Sequence, residues 1–140
     1  MLVIPRIPPE ASALVLVVER DPHVRDLEAF FLNEAGFSVE FAEDGLAALE
    51  LARKSPPSIV VTEILVPKLD GLALCRAIKT DPRLQHVPVL VFSILAASGR
   101  AKEAGADFFL MKPLAERRLV DTVRDLLAQH KAAAAKPETA

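Results

Sequence analysis

The chain is short of cysteine, of net charge and of long apolar runs, and each shortage removes a class of protein. A single cysteine, Cys75, cannot build a disulfide framework. It lies between Leu74 and Ile78 on an apolar helical face, so a core thiol is expected rather than a nucleophile or ligand. Lys and Arg number 17 against 19 Asp and Glu, a formal net charge of −2, which gives no electrostatic pull toward nucleic acid or an anionic membrane surface. No apolar run reaches membrane-spanning length, and Pro5, Pro8 and Pro9 break residues 1–13, so no signal-peptide core is expected there. The cytoplasm is the expected location. His23, His86 and His130 share no spacing, so no metal site built on histidine is expected. No internal repeat is present.

What remains is one domain of ordinary globular composition, 51% hydrophobic and 26% charged over 140 residues. Its expected divisions are an extended Pro-rich segment at 1–13, a folded domain at 14–130 and a flexible tail or linker at 131–140. The tail is Ala-rich and broken by Pro137, so a frayed helix end is expected before it. Leu14-Val15-Leu16-Val17-Val18 is a continuous aliphatic run, the mark of a strand covered on both faces. Asp21 and Pro22 then predict the start of a helix with Val24, Leu27, Phe30, Phe31 and Ala35 as its apolar positions and Gly36 after its end. The Phe30-Phe31 pair is expected in the core. Phe37 to Phe41 alternates as a second strand, and Asp44 caps a second helix. Ile59 to Glu63, Val87 to Phe92 and Phe108 to Met111 supply three more strands. Helices are expected from Gly71 to Lys79, from Ala96 to Ala104 and from Leu114 to His130. Strand and helix alternating five times require a parallel sheet with helices on both faces.

In such a sheet, chemistry collects beyond the carboxyl ends of the strands. Those ends carry Glu19, Arg20 and Asp21 after the first strand, Glu63 after the third, Ser93 after the fourth and Lys112 after the fifth. Acids with a lysine and a hydroxyl suit a divalent cation and phosphoryl chemistry, because hard cations take carboxylate oxygens. Arg20 does not fit that set.

Four motifs in order make the chain, from Leu14 to His130, resemble the receiver domain of two-component response regulators. Leu16 to Pro22 occupies the place of the family's strand and acidic cluster. Glu63-Ile64-Leu65-Val66-Pro67-Lys68-Leu69-Asp70-Gly71 follows the phosphoacceptor strand and loop. Pro88 to Ser93 ends on the switch hydroxyl, and Gly105 to Pro113 matches the fifth strand with its lysine and proline. The resemblance implies a flavodoxin-like, doubly wound five-stranded sheet in the order 2-1-3-4-5. It also implies an aspartate that takes a phosphoryl group from a histidine kinase, with magnesium held by the acidic cluster.

The departures are specific. Glu63 stands at the acceptor position, and Arg20 stands at the second acid of the cluster beside Glu19 and Asp21. Ser93 and Lys112 are kept. Phe109 takes the place of the family's switch aromatic, with plain core packing left open. The stretch from Ser93 to Gly105 is shorter than is usual for the family, trimming the fourth helix. In the usual site the excess of carboxylates over lysine is what a cation neutralises. Here Glu19 and Glu63 face Arg20 and Lys112, so charges cancel without metal, and the guanidinium is expected to pair with Glu63 or Glu19. Asp21 is better suited to capping the helix. Glutamate's extra methylene displaces its carboxylate on the order of 1.5 Å from aspartate geometry, and phosphoryl transfer depends on positioning.

The sequence therefore predicts an atypical receiver of the pseudo-receiver type. It would be a non-enzymatic module of bacterial signalling with no cofactor, binding magnesium weakly or not at all. Its partners would be proteins, a histidine kinase or another signalling protein, met through the fourth-helix, fifth-strand and fifth-helix face. A homodimer is left open, and neither nucleic acid nor membrane is expected to bind directly. Glu63 could mimic the phosphorylated state by reaching Ser93 and Lys112, but a fixed platform that no longer switches is preferred. Two alternatives stand beside it: a working phosphoacceptor that uses Glu63 or Asp21, and a flavodoxin-like small-molecule binder. The second is disfavoured because no Gly-rich phosphate loop follows any strand.

Overall fold

The computed structural model describes residues 13–113 and 116–135. The expected Pro-rich segment up to residue 12, the start of the last helix at Leu114 and the tail from 136 lie outside them. Elements alternate as β1 (Leu14–Val18), α1 (Pro22–Glu34), β2 (Ser38–Ala42), α2 (Gly45–Lys54), β3 (Ile59–Thr62), α3 (Gly71–Thr80), β4 (Val89–Ser93), α4 (Ser98–Glu103), β5 (Phe108–Met111) and α5 (Glu116–Ala135). The five strands form one parallel sheet in the order β2-β1-β3-β4-β5. Placing β1 inside rather than at an edge follows from its composition, since an unbroken apolar strand needs cover on both faces.

The period of two along each strand sorts its side chains between two layers. Leu16, Val18, Val60, Val89 and Val91 pack against Ala48 and Ala52 of α2, Leu74, Cys75 and Ile78 of α3 and Ala101 of α4. Val15, Val17, Ile59, Val61, Leu90 and Phe92 face Leu32 of α1 and Leu119, Val123, Leu126 and Leu127 of α5. Cys75 is fully buried, and burial pushes its thiol up to about 11, as a core cysteine requires. Gly105, at φ +92°, turns the chain out of α4, which is only six residues long.

Three expectations need correction. Helix α1 is rotated about its axis: Glu28, Ala29 and Leu32 face the sheet, while Leu27 and Phe30 are 54% and 56% exposed. Phe31 packs on the core, and Phe30 meets it only edge-on from outside, with ring centroids 5.3 Å apart. At 3.6 residues per turn the stripe 24–28–32 can face the sheet only if 27 and 30 turn toward the rim. Second, β2 runs from Ser38 to Ala42, and Phe41 lies in the open under the Arg25 guanidinium at 5.4 Å, because this edge strand is only partly covered. Third, α5 continues past His130 to Ala135, since four consecutive alanines, the best helix formers, follow it.

One close approach shapes the whole site end. The Gly71 amide donates to the Ile64 carbonyl at 2.9 Å, and a Cβ on Gly71 would lie 2.1 Å from the Glu63 carbonyl oxygen. No side chain fits there without moving backbone. Gly71→Ala is expected to destabilise the fold by about 1–3 kcal/mol, the range for overpacking, and a urea melt against the native chain checks it.

Candidate functional site

The pairing register decides which side chains meet. Val18 pairs with Thr62 across β1 and β3, so Glu19 and Glu63 leave the sheet together, and the Glu63 amide donates to the Val18 carbonyl at 3.0 Å. Ser93 pairs with Met111 across β4 and β5, so Lys112 leaves beside the serine, its amide donating to the Ser93 carbonyl at 2.8 Å. A cis peptide joins Lys112 to Pro113. Glu19, Glu63 and Ser93 are buried, and Lys112 is nearly so. The structure thus gathers four of the residues singled out in the sequence at one point.

The Lys112 ammonium stands at the centre. It donates to Oε1 of Glu19 and, at 3.2 Å, to Oε2 of Glu63, and lies 5.1 Å from the Phe92 ring centre. Burial alone would pull this ammonium's pKa down, but the Glu19 hydrogen bond and the charges of Glu28, Glu19 and Glu63 hold it above the usual lysine range.

Glu63 accepts the most hydrogen bonds among the site residues. Its Oε1 takes the Ile64 amide at 2.7 Å, the Leu65 amide at 3.4 Å and the Ser93 hydroxyl, while Oε2 takes the Ile94 amide at 3.2 Å and Lys112. Desolvation would raise this carboxyl, but Ser93, Lys112 and the Ile64 amide together hold it below the ordinary glutamate value of 4.5. Ser93 also accepts the Leu95 amide at 3.1 Å, so its hydroxyl is committed at both ends. Phe109 is half-buried against the α2–α4 side of the core.

The cluster after β1 behaves differently from the expectation on one point. Asp21 caps α1, accepting the His23 amide at 2.9 Å and the Val24 amide at 3.4 Å, as its position suggested. Arg20 does not pair with Glu63 or Glu19. It is exposed, and among the described residues it makes no ion pair. The physical reason is competition: Lys112 arrives from β5 directly between the two carboxylates, and the second oxygen of Glu19 is taken by the Asp21 amide at 3.1 Å.

A further acid joins the site. Glu28 of α1 is 6% exposed, with Oε1 3.9 Å from Lys112 Nζ. Burial pushes its carboxyl up to about 8; Lys112 pulls it down, and Glu19 and Glu63 push it further up. The signal was available: Glu28 stands four residues after Val24 and four before Leu32, an acid within the core-facing stripe. His86 and His130, which share no spacing in the sequence, stack with ring centroids 6.1 Å apart, joining the loop after α3 to α5. No third metal-ligating side chain joins them among the described residues.

Whether the acidic cluster could hold a divalent cation can be judged from its donors. Both oxygens of Glu19 and of Glu63 accept hydrogen bonds from the protein, and Asp21 is spent on the cap. Lys112 already sits between the carboxylates. This donor set does not fit a cation that wants free carboxylate oxygens.

Comparison with known proteins agrees with the fold. A family model described as the response regulator receiver domain matches residues 15–124. Among curated proteins, the DNA-binding dual master transcriptional regulator RpaA of Synechocystis is 31% identical over 116 residues, 81% of this chain and 48% of that protein. Response regulator PleD of Caulobacter vibrioides is 37% identical over 119 residues, 82% of this chain and 26% of that protein. The chain therefore spans about half or less of the length of these relatives. A putative response regulator from Chloroflexus aurantiacus superposes with a TM-score of 0.81 at 30% identity, covering 84% of this chain and 98% of the other. The receiver domain of a histidine kinase from Syntrophus aciditrophicus does so with the same TM-score and identity over 92% of this chain and 97% of the other.

Removing the central cation tests the electrostatics. Lys112→Met should cost about 3–5 kcal/mol at neutral pH, because Glu19 and Glu63 are left buried and uncompensated. The stabilising contribution of Glu63, whose pKa is depressed, is complete above about pH 4.5 and vanishes as pH falls through its lowered value. The deficit of Lys112→Met should therefore shrink in acid, and chemical denaturation at a series of pH values measures it.

Proposed function

The chain belongs to the response regulator receiver family, and from that premise we propose that it is an atypical receiver whose site is held by its own side chains rather than by phosphate and magnesium. The observation that carries this reading is the bond set of Glu63. Its carboxylate accepts from Ser93, from Lys112 and from the Ile64 and Ile94 amides, leaving no oxygen free to attack a phosphoryl donor. Attack by a carboxylate on phosphorus needs a lone pair aimed in line and nearby charge neutralisation. Lys112 supplies charge neutralisation beside Glu63, but every carboxylate oxygen is already bonded, and the cluster that would bind the metal is closed by Lys112 and the Asp21 amide.

On this reading Ser93 is drawn permanently onto the carboxylate, and the module presents one fixed surface. It acts as a non-enzymatic cytoplasmic signalling part whose output passes through protein partners, among them a histidine kinase or another signalling protein. The face made by α4, β5 and α5 suits that role. Phe108 and Met111 are exposed on the β5 edge strand, and the short α4 leaves that edge open. A phosphoacceptor role for Asp21 is disfavoured, because its carboxylate caps α1.

Intact mass after incubation with magnesium and acetyl phosphate is the deciding measurement. The native chain should gain no phosphoryl mass, and the Arg20→Asp, Glu63→Asp double variant should gain it. A phosphorylated native chain would return the protein to conventional phosphorelay signalling.

A further inference from the structure

The rotation of α1 opens a groove between α1 and α5. It measures about 320 Å³ and is walled by apolar residues that include Leu27, Phe31, Ile94 and Leu119, with Glu28 and Lys112 also in its lining. The walls are apolar, yet the groove holds a carboxyl that is 6% exposed. Among the described residues Glu28 receives no hydrogen bond, and its one cationic neighbour, Lys112 at 3.9 Å, is already engaged by Glu19 and Glu63. Three carboxyls thus share a single ammonium. An anionic occupant is disfavoured, and an apolar one bearing a single cation fits.

The chain itself carries such a segment. Residues 1–12 contain Leu2, Val3, Ile4 and Ile7 around Arg6, the one cationic side chain before β1. We propose that this segment is the groove's occupant, with the Arg6 guanidinium on the Glu28 carboxylate and the flanking aliphatic residues on Leu27, Phe31 and Ile94.

Reach and direction allow it. Ala13 packs against the core layer that α1 and α5 cover, so the segment enters β1 on the correct side of the sheet. Arg6 lies seven residues before Ala13, an extended span of about 23–25 Å. Glu28 stands about 9 Å down α1 from its start near the site, toward the end of the sheet where β1 begins. The climb from Ala13 to the site end of β1 is about 20 Å, so the segment has length to spare. Pro5, Pro8 and Pro9 bias it toward extended conformations and so lower the entropy lost on docking. A guanidinium suits the carboxylate because its donor fork can meet both oxygens.

A nitroxide attached through Leu2→Cys in the full chain, where Cys75 is buried, reads the contact directly. Amide signals of Leu27, Glu28, Phe31, Ile94 and Leu119 should broaden selectively. Arg6→Gln, which leaves the folded domain untouched, and Glu28→Gln, which keeps the side chain's shape, should each lower the docked population by about tenfold and restore those signals. Broadening spread evenly over the domain, or confined to another face, would overturn the proposal. Groove broadening that survives both substitutions would overturn it as well. None of these outcomes bears on phosphorylation, so failure here and failure of the proposed function are separable.

Discussion

A buried ammonium cannot stand alone, and the arrangement of Lys112 sets the terms for everything at the carboxyl end of this sheet. Taking a lysine out of water is tolerable only where carboxylates meet it at hydrogen-bond distance. The β1–β3 register supplies Glu19 and Glu63 side by side, and the β4–β5 register delivers Lys112 between them. Once that triad is closed, the remaining polar atoms follow. Glu63 turns its free lone pairs to Ser93 and the loop amides, and Glu19 turns its other oxygen to the start of α1. The strand pairing and the site are one construction.

Two side chains register the tension in that construction. Arg20 carries a charge that could have entered the site and stays in water, because the carboxylates it would meet already have partners. Glu28 carries a charge that the site has no cation left to balance, and burial answers by favouring its neutral form near neutral pH. The groove between α1 and α5 lies beside it. Among the described residues the carboxyl that lines this groove receives no hydrogen bond.

The fold was legible because its three central strands are nearly pure apolar runs and its turns carry explicit signals. Leu14 to Val18 demanded cover on both faces, while Asp21, Asp44 and Gly105 marked helix boundaries that the structure keeps. The site residues could be placed too, since each is a polar group at the carboxyl end of a largely apolar strand. Rotation and competition could not be read in the same way. Whether α1 turns Leu27 or Glu28 to the sheet depends on which side chain Lys112 and the α5 leucines leave room for. Whether Arg20 or Lys112 wins the carboxylates depends on angles of approach fixed by β5. The meeting of His86 with His130 spans elements far apart in sequence and follows only from the finished packing.

The bond set of Glu63 also has a bearing on time. A phosphoryl group on a carboxylate is a reactive mixed anhydride, and whatever state it sets lasts only until water reaches it. A glutamate side chain held by Ser93, Lys112 and loop amides has no such lifetime. On the function proposed above, such a module would carry no internal clock. The duration of its signal would be set by how long the polypeptide persists and by how much of it the cell makes, which moves control from chemistry at the site to synthesis and turnover of the chain.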